Sequence, residues 1–326
     1  MALRSVVFAT DLLEPLVPLA RQAEAAGFHR VWTAELPGRD AVVRALAIGL
    51  ATERIGVGTG IAYAFTRPPL AMAAEAMDVQ RLIGGRFLLG LGTGTSGVRR
   101  RYGVDFNPPA RRFESYVAEL RAAWARISEP GWPAVPPVYG AGMGTTMLRA
   151  VARSSDGVLL HPLARARTHL NERVLPALAA GRGSADGAPP GLTAWAMVSI
   201  AADEGEARAR AKRHVAFYLA TPSYKPVLEG SPWLAVADDV QAAYLAAKPK
   251  VDWRWMEHLI PDDLVDHVAL AGTAKMVAAR AVSLEAELEE CGVDEIAFQT
   301  VGVGLSGDEM AYNCEAIIAA LAPSPA

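Results

Sequence analysis

The chain is nearly free of cysteine: Cys291 and Cys314 are the only two in 326 residues. That excludes a disulfide framework and a CxxC metal motif, and it suits a reducing compartment. No apolar run approaches the roughly 18–20 residues that span a bilayer. Excess charge is also missing. The formal net charge of −3 gives no global pull toward nucleic acid or an anionic membrane. The opening residues, MALRSVVFATDLLEPL, lack the basic start and long apolar centre of a signal peptide, which predicts a cytoplasmic protein. There is no His/Cys/Asp set with metal spacing, no GxSxG and no Cys–His arrangement near a glycine turn. Metal-dependent hydrolysis and nucleophilic acyl transfer therefore lack support. Aromatics are few, at 7%, but hydrophobic residues reach 52%, mostly Ala, Val and Leu, enough for a large core.

Short β-branched runs alternate with Ala-rich helical patterns. Strands are expected at Ser5–Thr10, Arg30–Glu35, Arg54–Ile61, Arg86–Leu91, Val138–Ala141, Gly157–His161, Leu192–Ala201 and Glu295–Thr300. Helices are expected over 11–26, 40–52, 69–83, 110–127, 144–154, 167–180, 204–219 and 274–290. Such alternation predicts parallel βα units and, most simply, a TIM-type (β/α)8 barrel spanning 1–326 as one domain; a doubly wound open sheet is the alternative. Asn107 ahead of Pro108 and Pro109 is an N-cap signal for the helix carrying Phe113, Val117, Leu120 and Trp124 on one face. Two stretches break the rhythm. Residues 181–191 have loop composition. Residues 220–262 carry Tyr224, Trp233, Tyr244, Trp253 and Trp255, and form either a small packed subdomain or a lid over the barrel mouth.

In a barrel, ligands bind at the carboxyl ends of the strands, so the chemistry is sought in the residues just after each strand. The second strand ends at Glu35, a candidate acid or a salt-bridged carboxylate. The third ends with Gly60, Ile61, Tyr63 and Arg67. The fourth ends in Gly92, Thr93, Gly94 and Thr95, and the fifth in Gly142, Met143, Gly144 and Thr145, the latter opening directly into a helix. Bare backbone N–H groups at a helix N-terminus suit phosphate oxygens, and two such loops on neighbouring strands point to a phosphate cradle more than either does alone. GTGTSG also fits GxGxxG, but VRRRYGVDFNPP is not expected to open a helix at once, and no lone acidic residue stands about 20 positions on, so a Rossmann site is rejected. His161, after the sixth strand, is either a satisfied loop histidine or a proton donor. Arg99, Arg100 and Arg101 form either a solvated face or a pull on an anionic tail.

VWTAE (31–35), RIGVGTGIAYAFTRPPLAMAAEAMD (54–78), GRFLLGLGTG (85–94), PPARRFESYVAELRAAW (108–124), PVYGAGMGTTMLRAVARSSDGVL (137–159) and CGVDEIAF (291–298) together resemble the luciferase-like monooxygenase superfamily. Within it they are most similar to oxidoreductases that use the deazaflavin coenzyme F-420. The resemblance implies a bacterial-luciferase-like barrel with insertions, a flavin-like ring in its mouth and the phosphate tail on the glycine loops. It implies a non-prolyl cis peptide at Gly60–Ile61 behind the ring, Glu35 near the reactive edge, and hydride transfer to or from a small substrate, which the Trp-rich 220–262 stretch, closing that side, would make rather apolar. Where relatives carry a proton-transferring histidine after the acid, this chain has Leu36, which leaves His161 as the other candidate. A reduced-FMN monooxygenase and a non-catalytic flavin-binding barrel are the alternatives. A homodimer is expected by analogy alone.

Overall fold

Most strands of this protein bury both faces, and the side-chain alternation shows why. The computed structural model describes residues 2–8, 13–104, 108–183 and 190–323, so Asn107 and most of the 181–191 loop lie outside the described residues. The strands are β1 (Leu3–Val7), β2 (Arg30–Thr33), β3 (Gly56–Thr59), β4 (Ala62–Tyr63), β5 (Phe87–Gly92), β6 (Val138–Ala141), β7 (Gly157–Leu160), β8 (Gly191–Ile200), β9 (Ala269–Gly272) and β10 (Glu295–Thr300). Their pairing is parallel throughout. It runs β1-β2-β3-β5-β6-β7-β8, and β10 pairs with both β8 and β1. That double pairing closes the eight-stranded barrel and rules out the open sheet.

Outward residues such as Val31, Val57, Leu89, Val138, Val158, Ala196 and Phe298 enter the large core beneath the helices. Inward residues Val7, Trp32, Leu88, Leu159, Trp195 and Ala297 form a separate cluster inside the barrel. Near-continuous apolar runs are what a parallel sheet with both faces covered requires. The tryptophans fit because their neighbours are bare: a Cβ on Gly60 would lie 2.2 Å from Trp195 Cζ2.

The expected helices are present, with the one over Pro109–Ile127 burying Phe113, Val117, Leu120 and Trp124. The structure also corrects the sequence reading in several places. β3 stops at Thr59, and the chain kinks before resuming as β4. GTGTSG does open a helix at once, Ser96–Tyr102, because Thr95 Oγ1 accepts the Val98 N–H and Gly103 ends it at φ +65°. The closed barrel still removes the Rossmann site. β9, an unexpected strand with an Ala-rich sequence, pairs with the far half of β8. The helix Gly307–Ala320 was also unexpected, although Ser306 and Glu309 spell out its capping box.

The 220–262 stretch is packed. It contains the 3-10 segment Pro222–Leu228 and the helices Leu234–Ala247 and Trp253–Met256. Val227, Leu228, Ala237, Val240, Met256 and Ile260 share a second core with Leu163, Met197 and Val301, so this layer sits against the carboxyl ends of β7, β8 and β10.

Candidate active site

The kink after β3 is the site's central backbone feature. The Gly60–Ile61 peptide is cis, as the family resemblance implies. The Gly60 N–H donates to the Thr33 carbonyl at 2.6 Å, and the Glu35 N–H donates to the Ile61 carbonyl at 3.0 Å. The bulge is thereby tied to the end of β2. On the other side, a Cβ on Gly92 would meet Ile61 Cδ1 at 2.1 Å, so only glycine lets the Ile61 side chain lie over the end of β5.

Glu35 is buried and already engaged. Arg67 Nη1 donates to both carboxylate oxygens at 3.1 Å, and the Tyr63 N–H donates to Oε2 at 3.3 Å. Arg67 also pairs with Asp40 and, at 3.1 Å, with Glu75, and Tyr116 Oη donates to its carbonyl at 3.0 Å. Burial pushes the Glu35 carboxyl up, and the Arg67 charge and hydrogen bond oppose that. These contacts tie the end of β2 to Tyr63 and so brace the bulge. Leu36, where relatives carry a histidine, forms a short antiparallel bridge with Arg39.

Both glycine loops leave adjacent strand ends, since β5 and β6 pair through Leu91 and Gly140. Gly94 takes φ +64°, and the Thr93 hydroxyl donates to its carbonyl at 3.3 Å. Tyr102, at the end of the short helix, meets Tyr63 edge-on at 5.8 Å. Tyr102 and Arg101 line a cleft of about 260 Å³ with Pro37 and Gly38. In the second loop the expected residues divide. A Cβ on Gly142 would crowd the Leu148 nitrogen and Met147 Cγ at 3.2 Å, so the loop is tightly packed there. Met143 packs on the insertion core. Gly144 has open space, and the helix Thr145–Ser154 that it caps has no side-chain cap and no acidic first-turn residue. An exposed, positive helix end is what an anion needs.

His161 lies across the mouth. Its Nδ1 accepts the Leu163 N–H at 3.3 Å, which assigns the proton to Nε2, and Nε2 is buried without a partner. Tyr224 stacks on its ring at 4.5 Å and Tyr218 meets it edge-on at 4.3 Å. Tyr218 Oη accepts from Gln299 Nε2 at 2.6 Å, and His214 Nδ1 accepts the Gly302 N–H at 3.1 Å. Burial, then the neighbouring His214, brings His161 down to about 3; burial alone brings His214 to about 4. Both rings are neutral at pH 7, so His161 offers an N–H hydrogen bond and no imidazolium proton. Register places it beside Trp195, because Leu160 pairs with Ala194, and Trp195 Nε1 is likewise buried without a partner. The sequence reading missed Trp195, His214, Tyr218 and Gln299. The alternation in EIAFQT, with Glu295, Ala297 and Gln299 facing inward, was the one available signal for Gln299.

Residues 9–295 match the family model for luciferase-like monooxygenases. An uncharacterised protein of Mycobacterium tuberculosis is 31% identical over 295 residues, which is 80% of this chain and 85% of that one. A putative coenzyme F-420-dependent oxidoreductase of the same organism is 40% identical over 111 residues, 34% of this chain and 32% of that one. Among solved structures, a coenzyme F-420-dependent tetrahydromethanopterin reductase from Methanopyrus kandleri superposes with a TM-score of 0.75 at 21% identity, covering 97% of each chain. The bulge at Gly60–Ile61, the paired glycine loops and these similarities agree: the chain belongs to the luciferase-like monooxygenase family and is an oxidoreductase of the TIM-barrel type.

Proposed function

We propose that the protein transfers a hydride between coenzyme F-420 and a small, uncharged and rather apolar organic substrate. The observation that carries this reading is the buttressed bulge. Ile61 presents an apolar shelf fixed by Glu35 from one side and by Gly92 from the other. A planar ring fits such a shelf, and a phosphate tail fits the uncapped helix end at Gly144, so the residues present suit the cofactor. The relative named as a putative coenzyme F-420-dependent oxidoreductase supports a deazaflavin over FMN. When bound, a deazaflavin supplies two electrons as a hydride and reacts little with oxygen.

The chain's own residues then orient and exclude water. Gly60, Ile61 and Tyr63 back the ring. Gly92, Thr93, Gly94, Thr95, Gly144 and Thr145 receive the tail, with Gly142 and Met143 holding that loop in place. Glu35 and Arg67 fix the bulge. Tyr218, Tyr224 and the 220–262 layer wall the substrate side, and the neutral His161 N–H is the polar contact for a substrate oxygen. Because His161, His214, the tyrosines and Gln299 are all uncharged at pH 7, a carbonyl fits the wall better than a carboxylate does. Two copies are further proposed to pair through helices Ala41–Ala51 and Pro69–Leu82, whose Val43, Leu50, Leu70 and Leu82 are more than half exposed.

Anaerobic mixing with reduced coenzyme F-420 and a panel of small ketones, aldehydes and enones tests the function. At least one should re-oxidise the cofactor catalytically. Tight cofactor binding without turnover of any compound would favour a non-catalytic barrel.

A further inference from the structure

One buried cation outside the barrel mouth makes no ion pair among the described residues. Arg165 comes directly after the turn Pro162–Ala164 and is only 6% exposed. Among the described residues it makes no ion pair, and its Nε has no hydrogen-bond partner. Leu163 and Ala164, just before Arg165, share a core with Trp233 and with Val265 and Val268 on either side of His267, and two further buried nitrogens, His169 Nε2 and Trp233 Nε1, are also without partners. His267 links the group. Its ring lies 4.6 Å from that of Trp233, Arg165 helps burial push its pKa down, and it acts in the same direction on His169.

The surrounding charges do not compensate. Glu287 is felt by Arg165 but does not reach salt-bridge distance, and Arg280 is taken by Asp266 at 3.1 Å. Arg173 is close enough to His169 to add positive charge, while Glu172 and Asp263 are exposed. An unpaired buried guanidinium is costly, and burial brings Arg165 only to about 10, so it stays charged at neutral pH. A guanidinium fork, an indole N–H and two imidazoles on segments that share one core match an acceptor with several oxygens.

We propose that Arg165, His169, Trp233 and His267 form a binding site for an oxyanion group, a phosphate or a carboxylate. The four residues come from the segment after β7, from the start of helix Leu234–Ala247 and from helix Asp262–Val268. A bound anion would therefore fasten the 220–262 layer to the barrel, and this holds whatever cofactor the mouth takes.

The test is thermal melting of the full chain in sodium phosphate, sodium acetate and sodium chloride at constant ionic strength. Phosphate or acetate should raise the melting temperature saturably, by roughly 5 °C at 100 times Kd, while chloride should not. A response to phosphate alone identifies a phosphate group, and a response to acetate alone a carboxylate. Arg165→Met should lose the response yet melt no lower than wild type without the anion, since it removes an uncompensated charge. Trp233→Phe, which keeps the ring, should fold and bind several-fold more weakly. No saturable response to either anion, or the same response in Arg165→Met as in wild type, would overturn the proposal.

Discussion

Removing Arg67 tests whether Glu35 is held as the structure shows. The Glu35 side chain is 3% exposed, whereas those of Asp40 and Glu75 are 41% and 42% exposed. The two exposed pairs contribute at most about 1 kcal/mol each. The cost of Arg67→Met is therefore set by the buried carboxylate left behind. Breaking a buried pair costs about 3–5 kcal/mol. The protein can limit that by protonating Glu35, at about 1.4 kcal/mol per pH unit above an unfolded pKa near 4.3, which gives about 3.7 kcal/mol at pH 7 and about 1 kcal/mol at pH 5. The two routes agree at neutral pH. The sign comes from proton counting: the variant's folded state keeps a proton that the unfolded chain releases, so stability falls as pH rises. Urea denaturation at pH 5 and pH 8, monitored by tryptophan fluorescence, measures this. Adding Glu35→Gln should restore most of the loss at pH 8. An equal loss at both pH values, or a double variant no more stable than the single one, would refute the assignment.

The histidines behave in the opposite sense. The folded state keeps His161 and His214 neutral, with values of about 3 and 4, while the unfolded chain binds protons below about 6.5. Stability should fall as pH drops from about 6.5 toward 4, by up to about 1.4 kcal/mol per unit per histidine, and His214→Asn should flatten that slope in urea titrations at pH 7 and 5. Gly144→Asp places a good N-cap with a negative charge in open space. Its melting temperature should be unchanged or slightly higher, while affinity for the anionic cofactor drops at least about tenfold, or about 1.4 kcal/mol. Unchanged affinity would mean that the phosphate binds elsewhere. Val43→Glu with Leu50→Glu should convert a dimer to monomer in analytical ultracentrifugation without loss of helix by circular dichroism.

The barrel was legible in the sequence because both faces of its strands are buried, so each strand appears as a continuous apolar run bounded by turns. Strand ends were less sharp. Arg54–Ile61 reads as one strand, and only a tertiary constraint, the ties from Thr33 and Glu35, breaks it at Gly60. β9 was missed because ALAG has no β-branched signal and is extended only through its partner β8. At the site, the glycine loops were visible as composition, but their division of labour was not: Gly142 packs against its own helix while Gly144 opens to space. The Glu35–Arg67 pair spans 32 positions, and His161 meets Tyr218 and Tyr224 from a distant helix and turn. Contacts of that kind arise from chain reversal in the closed barrel and leave no local pattern.

The most direct test of the proposed cofactor is equilibrium titration of the protein with coenzyme F-420 and, separately, with FMN, read by quenching of intrinsic and cofactor fluorescence. Coenzyme F-420 should bind saturably and at least about tenfold tighter than FMN, a difference of about 1.4 kcal/mol. Tighter binding of FMN, or no saturable binding of coenzyme F-420, would contradict a deazaflavin site.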